Sequence, residues 1–224
     1  MTGTKSGVLQ RLVAVHQHLA AAGFDHAVGG ALALSQHVSP PRGTADIDLN
    51  ITADPAHPER LLAALPREVE VHAGAAEQLQ SSGQVRLWWK SPTLATPLDL
   101  FLPQHPTFHH LVVERAEPTD FLGTEIKTLT ATDLMVFKIL FNRRKDWADI
   151  ESLLRCGAGD SGEAAEWVAS VLGPDDPRLA QLQAVIDELA EESSCQDTAS
   201  GPPWPPARSA TLIPRPDRLP PPSR

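Results

Sequence analysis

Two acidic residues in a short apolar strand are the feature that most constrains the fold of this chain. The segment Asp46-Ile47-Asp48-Leu49-Asn50-Ile51 alternates polar and apolar residues. Because side chains alternate between the faces of a strand, Ile47 and Leu49 should point into a core, while Asp46 and Asp48 share the other face. Two carboxylates about 5 Å apart repel by roughly 3 kcal/mol at an effective dielectric near 20. We therefore expect the pair to be exposed, to be partly protonated or to hold a divalent cation such as Mg²⁺.

A glycine pair precedes this acidic strand. Residues 25–28 are typical of a short strand that ends at Gly29 and Gly30, and residues 31–36 have helical composition. Glycine lets the backbone come close to a ligand, and the free N–H groups of a helix start attract phosphate. The order of strand, glycine pair, helix and acidic strand therefore predicts a phosphate cradle and a metal site in one unit.

A third acid lies in a second apolar strand, residues 96–102. Asp99 is flanked by Leu98 and Leu100, so its side chain should face away from them. A carboxylate in such a strand needs a partner. On its own it is consistent with an edge residue or an ion pair; beside Asp46 and Asp48 it completes a set of three carboxylates.

A lysine interrupts an apolar helix further along the chain. Thr130 to Asp133 has the pattern of a helix start, and Lys138 is the one charge within residues 134–141. Its stem either extends the ammonium group to the surface or points it into a site. A basic cluster, Arg143-Arg144-Lys145, and then Asp146 follow this helix.

Together these motifs resemble the nucleotidyltransferases of the DNA polymerase beta superfamily, and most closely their AbiEii-type toxin branch. The first motif is similar to Gly29-Gly30, a short helix and Arg42-x-Thr44-x-Asp46-Ile47-Asp48, with a longer spacer than the compact superfamily form. The last motif is similar to Lys138 followed by Arg-Lys-Asp-x-x-Asp-Ile-x-x-Leu-Leu at residues 144–154. The resemblance covers about residues 24–155.

The resemblance implies an α/β (α+β) fold, in which a short mixed sheet is flanked by helices and followed by a helical C-terminal part. It implies that the enzyme moves a nucleoside monophosphate from an NTP to an acceptor hydroxyl. Two Mg²⁺ ions would be held by the catalytic carboxylates Asp46, Asp48 and Asp99. The implied nucleotide-binding residues are Gly29, Gly30, Arg42, Lys138 and Asp146. We interpret Asp149 and Arg144, which also match the last motif, as an ion pair on an exposed helix face.

The acceptor stays open at this stage. The AbiEii-type resemblance implies a toxin that works beside an antitoxin and modifies an RNA end such as that of tRNA, with residues 143–145 as a backbone contact. A small hydroxylated molecule, as in antibiotic nucleotidyltransferases, is the alternative acceptor. A catalytically silent binding module, in which the acids only hold the sheet together, is the alternative from another class.

Net charge, cysteine content and hydropathy restrict the possible functions of the chain. A net charge of −9 argues against a protein that coats nucleic acid through a broad basic face, but not against a local contact. The two cysteines, Cys156 and Cys195, form neither a disulfide framework nor a zinc spacing. Without a secretory signal or a membrane-length apolar run, we expect no membrane association and a cytoplasmic protein.

Periodicity predicts the order of the elements and three regions. Residues 1–155 should form the nucleotidyltransferase domain, 156–194 a C-terminal helical segment and 195–224 a disordered Pro-rich tail. Residues 73–83 are interpreted as a connecting segment, and 121–127 as a single strand. Further helices are predicted over 7–22, 56–65, 108–112, 162–172 and 176–192, and further strands over 69–72 and 84–90.

Overall fold

The computed structural model of the protein describes residues 2–40, 43–105 and 107–199. Arg42, a predicted nucleotide-binding residue, lies outside this range. The chain divides into two compact units, residues 1–189 and residues 190–224. The fold below is that of the first unit. The second unit contributes to the described residues only the end of the last helix, and the predicted tail lies outside them from residue 200 onwards.

Helices and strands alternate irregularly along the chain. The helices of the described residues are α1 Thr2–Ala21, α2 Gly30–His37, α3 Glu59–Ala63, α4 Ala75–Ser82, α5 Phe108–Arg115, α6 Ala131–Phe141, α7 Arg144–Arg155, α8 Ser161–Leu172 and α9 Pro177–Ala199. The strands are β1 His26–Val28, β2 Ile47–Ile51, β3 Val69–Glu70, β4 Gln84–Ser91, β5 Leu94–Phe101, β6 Glu117–Phe121 and β7 Thr124–Thr128. Helix α9 thus includes residues 195–199, where the predicted tail begins.

Over the described residues, seven strands form one mixed sheet in the order β3-β4-β5-β2-β1-β7-β6. Strand β2 runs parallel to β5 and antiparallel to β1, and β1 runs parallel to β7. The remaining neighbours, β3 with β4, β4 with β5 and β6 with β7, are antiparallel. The predicted mixed sheet flanked by helices is confirmed, and β2 and β5, which carry the predicted acids, lie side by side in it.

Alternation along the central strands separates an apolar face from a polar one. Leu49 of β2 and Leu100 of β5 are fully buried in a core cluster with Leu12 of α1. The intervening residues Asp48 and Asp99 lie on the other face and are only partly buried. Apolar burial on one face therefore fixes the strands and leaves the acids facing the other side.

A second core lies among the C-terminal helices. Ile139 of α6, Leu153 of α7 and Val168 of α8 are fully buried in one cluster. Leu182 of α9 belongs to the same cluster. Helix α6 packs on both α7 and α8, so the helices after residue 155 extend the core of the first unit. The division at residue 155 stays a prediction.

Two predicted segments were wrong. Residues 73–83, interpreted as a connection, contain helix α4, because Ala75 and Leu79 bury one face of it and Gly83 ends it in a left-handed conformation. Residues 121–127, interpreted as one strand, contain the turn between β6 and β7. Leu122 and Gly123 both have positive φ there, which is the geometry of a tight hairpin turn.

Within the described residues, the helices are all too short or too polar to cross a membrane.

The apolar face of the sheet should depend on α1. We expect Leu12→Ala to lower the free energy of unfolding by about 2–5 kcal/mol, because the side chain is 0% exposed and its loss leaves a cavity. Urea unfolding at pH 7 measures the change. Leu172→Ala is the matched control, since Leu172 is 37% exposed at the end of α8. Equal effects of the two substitutions would contradict the assigned core.

Candidate active site

Strand register brings Asp48 and Asp99 next to each other. The two residues are direct partners in the parallel pair β2 and β5. Neighbouring strands are about 4.8 Å apart, and both side chains point to the polar face. Asp46 lies just before β2 and two residues from Asp48, so it shares the same side. The register and the contact of Asp46 with Arg86 therefore bring the three acids to one side of the sheet, and their role as a metal site stays a prediction.

A basic residue of β4 lies among these acids. Arg86 is the antiparallel partner of Asp99 and binds it through two hydrogen bonds, Nε to Oδ1 at 2.7 Å and Nη2 to Oδ2 at 2.5 Å. The same Nη2 is 3.7 Å from Oδ2 of Asp46. The carboxylates raise the pKa of Arg86, so its guanidinium is a permanent cation shared by two acids. Sequence reasoning placed Arg86 on a strand but gave it no role.

The glycine pair fits tightly against the acidic strand. The N–H of Gly29 donates to the carbonyl oxygen of Asp48 at 2.8 Å. Gly30, at the start of α2, has φ +56, and a Cβ there would lie 1.9 Å from Oδ2 of Asp48. A Cβ on Gly29 would lie 2.8 Å from Nδ2 of Asn50. Only glycine therefore lets the start of α2 approach the Asp48 carboxylate.

Burial and the neighbouring acids change the pKa of Asp48. The pKa of this carboxyl is raised from 3.8 to about 6, chiefly because burial disfavours the ionised form and then because Asp99 and Asp46 repel it. The positive charges of Lys138 and Arg86 act in the opposite direction. With a pKa of about 6, the Asp48 carboxyl is mostly ionised at neutral pH.

Lys138 is buried beside the acids and does not extend to the surface. Its side chain is 5% exposed, and its Nζ donates to Oδ2 of Asp149 at 2.6 Å. The side chain of Asp149 is 7% exposed, so our interpretation of this residue as part of an exposed ion pair was wrong. Helix α7 presents Asp149 to α6, and this orientation cannot be deduced from helical spacing alone.

Asp146 is covered by Arg143. The carboxylate of Asp146 is 1% exposed and accepts from Nε of Arg143 at 2.6 Å and from Nη2 at 3.0 Å. It also accepts from the backbone N–H of Arg143, which caps the start of α7. Asp146 therefore acts by holding Arg143, whose guanidinium also stacks 4.8 Å from the centre of the Phe141 ring.

One cleft collects most of these residues and has two parts. The first part is lined by Gly30, Asp48, Asn50, Lys138 and Asp146 with aromatic side chains around them. The second part is lined by Gln78, Gln84, Arg86 and Asp99. Both parts share Asp48, Phe101, Phe141 and Arg143. The cleft thus combines an aromatic part that contains Lys138 with a part that contains two glutamines, and Asp48 lines both.

The donor set suits a hard cation, but its present arrangement is not a closed metal site. Carboxylate oxygens are the ligands that Mg²⁺ prefers, and a cation there would offset the repulsion that Asp99 and Asp46 exert on Asp48. In the part of the chain that the structure describes, no group of three or more His, Cys, Asp or Glu side chains is positioned to hold a metal ion. Both oxygens of Asp99 are turned to Arg86 instead.

No family model matches the sequence, and no curated protein matches it. The fold is similar to that of an antigenic nucleotidyltransferase-like protein from Paracoccidioides brasiliensis. That chain is 21% identical, with 86% of this chain and 92% of that chain covered and a TM-score of 0.50. The protein therefore has a nucleotidyltransferase-like fold, as predicted.

Two further solved structures overlap less well. A candidate nucleotidyltransferase from H. pylori is 13% identical, with 89% of this chain and 97% of that chain covered and a TM-score of 0.46. The antibiotic-resistance factor ANT(2'')-Ia is 11% identical, with 89% and 98% covered and a TM-score of 0.40. The AbiEii-type branch stays a prediction.

The raised pKa of Asp48 predicts a pH dependence of stability in EDTA. A carboxyl whose pKa is higher in the folded than in the unfolded state stabilises the fold at low pH, and this contribution is lost as pH rises through about 6. Relative to Asp48→Asn, the wild type should lose about 2 kcal/mol of unfolding free energy between pH 4 and pH 8. Urea titrations across this range measure the difference. Asp175→Asn, at an exposed position, should run parallel to the wild type; a pH-independent difference for Asp48→Asn would contradict the raised pKa.

The buried ion pair predicts strong coupling between α6 and α7. Lys138→Met or Asp149→Leu alone should cost about 3–5 kcal/mol, because each breaks the buried ion pair and leaves the other charge in place. The double variant should lose less than the sum of the two. A double-mutant cycle in urea measures this coupling. Arg67→Met, which breaks an exposed pair with Glu68, should leave the urea midpoint unchanged; additive losses in the cycle would refute the coupling.

Proposed function

We propose that this protein is a metal-dependent nucleotidyltransferase that moves a nucleoside monophosphate from an NTP to an acceptor hydroxyl. The observation that carries the proposal is the approach of Asp46, Asp48 and Asp99 to one another beside the glycine start of a helix. A cleft with a buried lysine adjoins them. The nucleotidyltransferase-like fold supports this assignment but does not establish it.

The three carboxylates would hold two Mg²⁺ ions. Bound there, the ions would neutralise charge on the triphosphate and make the acceptor hydroxyl more acidic. Asp48 is the acid most in need of a counter-charge, because burial and both other acids raise its pKa. The acids supply oxygen ligands, which is the chemistry such ions require.

The residues around the acids would bind the phosphates, and Asp99 would accept the proton of the acceptor. Gly29 and Gly30 let the start of α2 come close to the phosphates, where its N–H groups favour negative charge. Lys138 contributes a buried positive charge in the same part of the cleft. The acceptor oxygen forms a bond to the α-phosphorus, its proton passes to Asp99, and the bond to the departing pyrophosphate breaks.

An RNA end, such as that of tRNA, is the acceptor that we propose first. Arg144 and Lys145 are exposed and line an open groove on α7, where they suit contacts to a phosphate backbone. A toxin role with a cognate antitoxin, as in the AbiEii-type branch, accompanies this acceptor. The first residue of the basic cluster, Arg143, is held by Asp146 and belongs to the cleft.

A small hydroxylated molecule is the second candidate acceptor, and a separate observation favours it. The part of the cleft beside Asp99 is lined by the neutral amides of Gln78 and Gln84. The two arginines there, Arg86 and Arg143, are both paired with acids. Such a lining suits hydroxyl groups better than a polyanion.

Nucleotide transfer tests the function. The protein is incubated with Mg²⁺ and each labelled NTP, in separate reactions with total RNA and with a panel of aminoglycosides and other polyhydroxylated small molecules. We expect Asp46→Asn, Asp48→Asn and Asp99→Asn each to lower transfer by about 10²-fold or more, because each removes a charge from the reacting centre. Asp175→Asn, an exposed acid outside the cleft, should retain wild-type activity.

The outcomes separate the proposed functions. Label on RNA supports the RNA acceptor, and label on a small molecule supports the second candidate. Full activity in the Asp48→Asn variant would refute the catalytic role. A rise in Tm with Mg²⁺ and NTP argues against a catalytically silent module, whereas no rise and no transfer with any acceptor would support it.

A further inference from the structure

Arg86 occupies the carboxylate oxygens that the proposed function assigns to metal ions. Its Nε and Nη2 engage both oxygens of Asp99, at 2.7 and 2.5 Å. Nη2 also lies 3.7 Å from Oδ2 of Asp46. Two of the three acids therefore already have a cation between them, and it is supplied by the protein.

An ordinary cross-strand ion pair does not account for this arrangement. Lys90, on the same face of β4, pairs with Glu70 at 2.7 Å, and both side chains are more than half exposed. Such a pair contributes little to stability. Arg86 is also half exposed, but its partner Asp99 is only 13% exposed and a second acid is close. Arg86 therefore balances a charge cluster and not a single surface acid.

We propose that Arg86 is an internal counter-ion that competes with divalent cations for Asp99 and Asp46. The proposal rests on the metal-dependent function proposed above. Without a divalent ion Arg86 keeps the acids together; when such an ion binds, the guanidinium leaves these oxygens and turns towards Gln78 and Gln84, which line the same part of the cleft. Arg86 is thus a positioning residue that sets the metal affinity of the site.

The geometry explains why exchange is required. Bidentate pairing uses both oxygens of Asp99, so a metal ion cannot take them while Arg86 stays. The described residues accordingly contain no three acidic or histidine side chains positioned around a metal ion. The Arg86 side chain is about half exposed, so it has room to move. It lines the same part of the cleft as Gln78 and Gln84.

Divalent binding without nucleotide tests the competition. Isothermal titration with Mn²⁺, and with Mg²⁺ as a second probe, is carried out on wild type, Arg86→Gln and Lys90→Gln. We expect Arg86→Gln to bind the ion roughly tenfold more tightly, because a competing cation has been removed. Lys90→Gln removes the same charge from the same strand face and should leave the affinity unchanged.

The result can overturn the proposal in three ways. Unchanged or weaker binding by Arg86→Gln would show that Arg86 does not compete. Equal tightening in Lys90→Gln would show a general charge effect. Absence of binding in all proteins would remove the competition altogether. If Arg86→Gln binds more tightly but no protein transfers nucleotide, the counter-ion role stands and the proposed function fails.

A second measurement does not depend on the folding of a variant. In wild-type protein, the NMR signal of the Arg86 Nε–H should be protected from exchange with water in EDTA, because that group is bound to Asp99. Saturating Mg²⁺ should remove the protection at Arg86 and spare Arg143, whose Nε–H is held by Asp146. Protection of Arg86 that survives bound Mg²⁺ would overturn the proposal.

Discussion

Repulsion among three neighbouring carboxylates is the constraint to which the rest of the site responds. Two of them are direct partners on parallel strands, and the third lies two residues away. Apolar burial on the opposite face of the sheet fixes these strands, so the acids cannot relax by moving apart. Arg86 and Lys138 offset part of this repulsion, while burial first, and then Asp99 and Asp46, raise the pKa of Asp48. The fold thus holds three acids at one place, where a bound cation would lower their mutual repulsion.

Helices α6 and α7 keep the cations of the cleft in place through their own acids. Asp149 holds Lys138 across the buried contact between the two helices, and Asp146 holds Arg143 at the start of α7. Both cations still line the cleft. Lys138 lowers the pKa of Asp48, and Arg143 interacts electrostatically with Asp48 and Asp99. A buried pair also restricts the lysine to one orientation, which a surface lysine would not keep. The acids of the last motif, Asp146 and Asp149, therefore hold the two cations of the cleft in position.

The positions of the charged side chains could be predicted from the sequence only where local rules determine them. Alternation along a strand places Asp46 and Asp48 on one face. The approach of Asp99 was expected from the family resemblance, because it depends on the long-range pairing of β2 with β5 and not on a local rule. The role of Arg86 was missed because the two segments were predicted as separate strands and not as a hairpin, whose short turn sets Arg86 opposite Asp99. Asp149 was misread for a similar reason: spacing shows that it lies on a helix but not which helix face packs inward.

The start of α2 links the acids to the phosphate chemistry proposed for the cleft. Thr130 and Asp160 cap α6 and α8 with side-chain oxygens, whereas Gly29 gives α2 no side-chain cap. With glycine at the cap position the cost relative to Ser or Asp is only roughly a few tenths of a kcal/mol, and the next residue, Gly30, leaves free the space that the Asp48 carboxylate takes. A serine or aspartate cap would satisfy the helix but would place an oxygen where a phosphate has to approach. Helices α3, α4 and α5 also begin without a side-chain cap, so the uncapped start does not by itself indicate a ligand. What distinguishes α2 is that its first residue lines one cleft with Asp48 and Lys138, where the proposed phosphate would meet a buried positive charge.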